Sequence, residues 1–315
     1  MFYRDMNRTT HAKLLMIIYQ VLLLHRGPII KFTLTLSGLK SCSEIDQLIR
    51  FVSSNDIQDF ALDIGQGELY KLPSTLYSCL QLRHLDLSSC MIKPPPGFEG
   101  FTRLISLDLC DVVIADDVLS SLISNCPLLV DLTLHSSTGS HSLEVVGPNL
   151  KCVRCDGHFR SICFTNTSRL ADVCVYLKGE RGELRCSEEY ISISVMLLDS
   201  VPVIESLGLD FCYVKAFPGG TSDIPIDLDL TEVHGCLDVS LNKLREVDMK
   251  NVSGTKAELE FIKLLLAKSP ILETMLIELN SSLGLVAELR IVKVLTRLRR
   301  ASPQAEMNLV SRDED

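Results

Sequence analysis

One thirteen-residue pattern constrains this chain more than any other feature, because it occurs three times. Leu122-Ile-Ser-Asn-Cys-Pro127-Leu-Leu-Val-Asp-Leu132-Thr-Leu134 returns as Leu197-Leu-Asp-Ser-Val-Pro202-Val-Ile-Glu-Ser-Leu207-Gly-Leu209. It returns again as Leu265-Leu-Ala-Lys-Ser-Pro270-Ile-Leu-Glu-Thr-Met275-Leu-Ile277. In each copy the proline stands five residues before one apolar position and seven before the next. The apolar residues ahead of it suit a helix, which the proline ends because it lacks an N–H and pushes its predecessor out of the α region. The alternating tail reads as a short strand. A helix, a stop and a strand repeated along one chain is the unit of a solenoid.

The strand core is L-x-x-L-x-L, with leucine at all three places in Leu82/Leu85/Leu87, Leu104/Leu107/Leu109 and Leu129/Leu132/Leu134. The middle leucines lie 22 and 25 residues apart, within the span of leucine-rich repeats. Cys90 follows the first copy where that consensus takes Asn or Cys. Degenerate copies occur at Ile29/Phe32/Leu34, Ile57/Phe60/Leu62, Leu150/Val153/Cys155, Leu170/Val173/Val175, Ile204/Leu207/Leu209, Leu244/Val247/Met249 and Leu272/Met275/Ile277. At 46% apolar residues, roughly one window in ten matches the degenerate form by chance, so the three strict copies and the proline unit carry the reading. The gaps from Val173 to Leu207 and from Leu207 to Val247 read as one diverged repeat or insertion each.

The fold class is therefore α/β: a leucine-rich-repeat solenoid with parallel strands on the concave face and capping helices at both ends. Residues 1–28 read as an N-terminal cap around the apolar run Leu14–Leu24. Residues 29–284 form the array, and 285–315 a C-terminal helix with an acidic tail. Asp116 and Asp117 read as the N-cap of a helix, Thr255 as the start of another, and Pro94–Gly97 as a loop. Lys178 to Ser187 and Phe217 to Pro225 read as surface loops.

Forty acidic residues against 31 basic ones argue against nucleic acid as a partner, since phosphate binding needs a basic face. Arg297-Leu-Arg-Arg300 reads as a solvated helix face. Leu14–Leu24 is too short to span a bilayer, and no small-residue cleavage site follows it. The expectation is an intracellular protein, in cytoplasm or nucleus, with no membrane partner. Asn7, Asn166, Asn251 and Asn280 stand in N-x-S/T sequons, which signify nothing without secretion.

The twelve cysteines are scattered singly and read as reduced packing residues. Cys152-x-x-Cys155-x-x-His158, with Cys163 nearby, has a metal-like spacing. Strand alternation turns Cys155 inward and Cys152 outward, so no metal site is expected. No hydrolase elbow, P-loop, zincin or dinucleotide motif occurs, so neither catalysis nor a cofactor is expected. The surface left for binding is the outward set of strand positions: Arg83, His84, Asp86, Ser106, Asp108, Asp131, Thr133, Lys151, Arg154, Glu205, Arg245, Glu246 and Asp248.

Tyr19-Gln-Val-Leu-Leu-Leu-His-Arg-Gly-Pro-Ile29, the Pro-Leu-Leu-x-x-Leu-x-Leu units and Arg297-Leu-Arg-Arg-Ala-Ser-Pro-Gln-Ala-Glu306 together resemble the plant F-box/FBD/LRR-repeat proteins. The resemblance runs from about Ile18 to Met307 and implies an FBD-like region from about residue 240. It further implies a protein-binding module: in that family an N-terminal F-box docks a Skp adaptor of a cullin ubiquitin ligase, and the repeats select the substrate. Only 28 residues precede the first strand here, too few for a three-helix F-box. The expectation is the recognition half without the adaptor contact, able to compete with full-length relatives. A small-molecule co-receptor with its ligand on the concave face is the alternative, weakened by the lack of tryptophan.

Overall fold

The computed structural model describes residues 2–36, 43–65, 69–135, 142–157, 159–177, 187–201, 203–211 and 241–310. The chain divides into two compact units, Met1–Ser140 and His141–Asp315.

The first unit holds α1 (Phe2–Leu24), β1 (Lys31–Thr35), α2 (Ser43–Ser53), β2 (Asp59–Asp63), β3 (Tyr70–Lys71), β4 (His84–Ser88), β5 (Cys90–Met91), β6 (Ser106–Cys110), α3 (Asp116–Ser124) and β7 (Asp131–His135). Strands β1, β2, β4, β6 and β7 pair in that order, all parallel. The apolar positions of the repeat fall in register. Phe32, Phe60, Leu85, Leu107 and Leu132 form one row, and Leu34, Leu62, Leu87, Leu109 and Leu134 the next. All ten are buried, because each strand's inward side chains are covered only by the strands beside it and by the layer behind. That layer includes α2, whose Ile45, Leu48, Ile49 and Val52 follow helical spacing and are buried.

Sharp turns end the strands. Ser89 and Asp111 occupy the same place in successive repeats, one residue past β4 and β6, and both take left-handed φ, 58° and 51°. The reversal carries Cys90 and Val112 into the core. Cys90 thus sits where the repeat consensus puts it, its thiol on the carbonyl of Ser88 at 3.1 Å. Pro94–Gly97 is a loop, beside a ring cluster in which Tyr77 and Phe101 stack and Phe98 meets both edge-on.

The second unit holds β8 (Ser142–Val146), β9 (Cys152–Gly157), β10 (Ser161–Thr165), β11 (Asp172–Leu177), α4 (Ser187–Ser200), β12 (Ser206–Asp210), β13 (Glu246–Val252), α5 (Lys256–Lys268), β14 (Thr274–Leu279), α6 (Leu285–Leu295) and β15 (Glu306–Val310). Strands β9, β11, β12, β13, β14 and β15 pair in that order, again all parallel. The rows are Val153, Val173, Leu207, Val247, Met275, Met307 and Cys155, Val175, Leu209, Met249, Ile277, Leu309. Every degenerate copy of the motif is thus a real strand. Neither sequence gap adds a described strand to this ladder, since β12 pairs directly with β11 and β13; Phe217–Pro225 and residues 178–186 are outside the described residues.

The proline units behave as their chemistry requires: α3 ends before Pro127, α4 before residue 202 and α5 before Pro270. Thr255 caps α5 in a reciprocal capping box with Glu258. Three local expectations need correction. Ala115, with no side-chain bond, is the N-cap of α3, and Asp116 and Asp117 lie in its first turn, where their charge still favours the positive helix end. The basic cluster Arg297–Arg300 follows α6 rather than lying on it, and Arg300 turns back to donate to the carbonyl of Ala305 at 2.6 Å. The expected C-terminal helix is followed by a further strand, β15, so residues beyond 284 also belong to the ladder.

Candidate functional site

Parallel pairing turns one outward residue per strand into a row that crosses the sheet, with neighbours about 4.8 Å apart. In the first unit three such rows lie side by side. They are Lys31, Asp59, His84, Ser106, Asp131; then Thr33, Ala61, Asp86, Asp108, Thr133; then Thr35, Asp63, Ser88, Cys110, His135. His84 stands 4.0 Å from Asp59. Burial raises the Asp86 carboxyl above the usual range, and the neighbouring charges of Asp108 and Asp63 add to the shift. Asp108 is raised by burial and partly relieved by His135. The common cause is burial, because side chains on strands at this spacing shield the carboxyls from water; like charge adds to it at Asp86.

The second unit presents a face of paired charges instead. Arg154 reaches Asp172 at 3.7 Å, Lys250 reaches Asp248 at 3.7 Å, and Arg245 holds Glu273 at 2.5 Å. The Asn251 amide donates to the Asp210 carboxylate at 2.6 Å. In the middle of this face Cys174 lies beside Gly208, where an added Cβ would come within 2.7 Å of the thiol sulfur. Only glycine lets that sulfur rest on the next strand.

Residues 45–215 match the profile of the LRR repeats of FBD-associated F-box protein At5g56370. The chain is also 32% identical over 345 aligned residues to the F-box/FBD/LRR-repeat protein At1g13570 of Arabidopsis thaliana, across 91% of this chain and 81% of that protein. The chain belongs to the plant F-box/FBD/LRR-repeat family. Its leucine-rich repeats are a protein-interaction module, built on the ladder described above. No described helix is long and apolar enough to cross a membrane.

Within this family fold, every outward residue chosen from the sequence lies on or beside the ladder. His84, Asp86, Ser106, Asp108, Asp131, Thr133, Arg154, Glu246 and Asp248 are on strands. Arg83, Lys151, Glu205 and Arg245 immediately precede β4, β9, β12 and β13, and their carbonyls start the bonding to the next strand. Ser106, Asp108, Asp131, Thr133 and Asp248 are half-buried, because side chains in adjacent strands shield one another. The third row, with Asp63, Cys110 and His135, went unnoticed, as did Tyr176, Asp210 and Lys250 in the second unit. The signal was present: each stands one residue past the last apolar position of its repeat.

Cys155 points inward and is fully buried, but Cys152 is not solvated as its alternation suggested; it is only 9% exposed. Among the described residues no three His, Cys, Asp or Glu side chains cluster to hold a metal ion; His158 lies outside them. Two cavities, of about 240 and 320 Å3, flank the proline loop and share Pro95, Gly97 and Phe98. Neither includes a residue of the three outward rows.

Proposed function

We propose that the exposed face of the ladder selects a protein partner for a ubiquitin ligase, without catalysing a reaction itself. The observation that carries this reading is the set of three largely polar rows in the first unit, interrupted at Ala61. Their spacing suits an extended contact surface and not a closed pocket. Asp59, Asp63, Asp86, Asp108 and Asp131 make that face acidic, so the complementary surface of the partner is basic. Arg83, His84, Ser106 and Thr133 provide donors among them. In the second unit Lys151, Arg154, Glu205, Arg245, Glu246 and Asp248 provide the corresponding positions, already paired in part within the fold. The F-box for which its relatives are named, and the Skp adaptor that such a module implies, support a role inside the cell, in cytoplasm or nucleus.

Proximity labelling in plant cells tests the reading. The wild-type chain is compared with an Asp86→Arg/Asp108→Arg variant and with Arg103→Ser, a control on an exposed turn off the strand ladder. Proteins labelled by wild type and control but lost with the face variant support the proposal. Identical labelling by all three overturns it. Recovery of a Skp adaptor in the same samples supports ligase assembly; shared partners without an adaptor favour the competitor reading.

A further inference from the structure

Solenoids bury apolar surface between neighbouring repeats, and their terminal repeats ordinarily carry a polar outer flank. Here the flanks at both ends are apolar. On α1, Leu15 is buried and Tyr19 packs edge-on against Phe51 of α2. Ile17, Val21 and Leu24 lie on the opposite side by helical spacing and are 57–80% exposed. On α6, Ile291 and Leu295 are buried, whereas Leu285, Val286 and Leu289 occupy the opposite side and are 61–70% exposed.

The strand layer ends in the same way. Met307 and Leu309 close two rows whose other members are fully buried, yet both are only half-buried. The amide of Glu306 donates to the carbonyl of Glu273, the residue just ahead of β14. In a parallel ladder the backbone groups of Met307 and Leu309 therefore point to the open edge. At the other end, the amide of Asp59 bonds to the carbonyl of Ile30. By the same alternation Lys31, Thr33 and Thr35 present theirs to the open edge of β1.

We propose that the C-terminal end of one copy docks onto the N-terminal end of a second copy, with β15 and β1 pairing as consecutive parallel strands. Continuing the register places Glu306 beside Lys31, Met307 beside Phe32 and Leu309 beside Leu34. This meets three requirements at once: opposite charges adjoin, both apolar rows continue, and the hydrogen-bonding phases of the two edges agree. The helix layer follows, with Leu285 and Leu289 of α6 covering Ile17 and Val21 of the second copy's α1. The contact is head-to-tail, so each docked copy leaves one free end of each kind and growth continues. Of the three outward rows it engages only the end members on β1, Lys31 among them, so it stands apart from the partner selection proposed above.

Sedimentation velocity on the full chain provides the test. The wild-type mass is expected to rise with concentration above the 35.0 kDa of one chain. Val21→Lys blocks the N-terminal end and Leu285→Lys the C-terminal end; both sites are exposed, and circular dichroism verifies that each variant folds. Each variant alone is expected to stay monomeric, while their equimolar mixture forms dimers and nothing larger, since only one pair of intact ends remains. Lys31→Glu is expected to weaken association about two- to fivefold, the range of one surface ion pair, with recovery in Lys31→Glu/Glu306→Lys. A wild-type chain that stays monomeric at every concentration overturns the proposal. So does a mixture that stays monomeric, or single variants that associate like wild type.

Discussion

Truncating Leu107 to alanine tests the stacking argument most directly. Its side chain is fully buried, between Leu85 on β4 and Leu132 on β7, as the fourth member of a five-member row. Truncation loses the transfer free energy of the removed carbons and leaves a hole that strands locked on both sides cannot close. The expected cost is therefore in the upper range for buried leucine, about 3–5 kcal/mol. Met307→Ala provides the internal comparison: it lies in an equivalent row but on the last strand, half-buried, so about 1 kcal/mol is expected. Urea unfolding followed by circular dichroism gives both values. Hydrogen exchange adds location, with Leu107→Ala expected to lose protection in β4, β6 and β7 while β13 and β14 keep theirs. Equal costs for the two truncations, or a cost below about 1 kcal/mol for Leu107→Ala, would refute the claim that burial comes from neighbouring repeats.

Glu258 is fully buried in the capping box of α5, and burial raises its pKa from 4.5 to about 7. Because the folded value is the higher one, its contribution to stability is full below pH 4.5 and is lost as pH rises through about 7. The span is about 3 kcal/mol, and Glu258→Gln is expected to flatten that part of the pH–stability curve; an unchanged slope would contradict the assignment. Gly100 has φ of +89°, and a Cβ there would fall 2.2 Å from the carbonyl oxygen of Asn125. Gly100→Ala is therefore expected to lower stability by about 2–3 kcal/mol in thermal unfolding. Among the eight described free cysteines, Cys163 is exposed while burial pushes the thiols of Cys90 and Cys155 up to about 12. Alkylation mapped by mass spectrometry should therefore modify Cys163 in the native protein, and Cys90 and Cys155 only after unfolding.

The repeat was legible because its signals are local. A proline that stops a helix acts on its neighbours in the chain, and apolar residues at fixed spacing need only a strand to share one side. Hence Leu150/Val153/Cys155 and Leu244/Val247/Met249, weak as sequence matches, still identified strands. The outward residues followed from the same alternation, which is why Arg83 to Asp248 all lie on or beside the ladder.

What escaped depends on residues distant in sequence. Strand β15 has Gln304 where the motif wants its first leucine, and it exists because β14 offers an edge and because Ser302 donates to the carbonyl of Leu272 at 2.6 Å. Cys152 has outward parity, yet its burial is settled by surroundings that alternation does not encode. Asp86 and Asp108 look like independent surface acids along the chain; pairing in register makes them neighbours, and the burial that comes with packed strands raises both carboxyls. By itself the sequence determined the unit, its period and which side chains face inward, since these follow from backbone sterics and apolar spacing within one repeat. The tertiary structure alone decided which outward residues share a row, how far each is shielded and what the end strands leave uncovered, because those properties belong to pairs of strands rather than to any one of them.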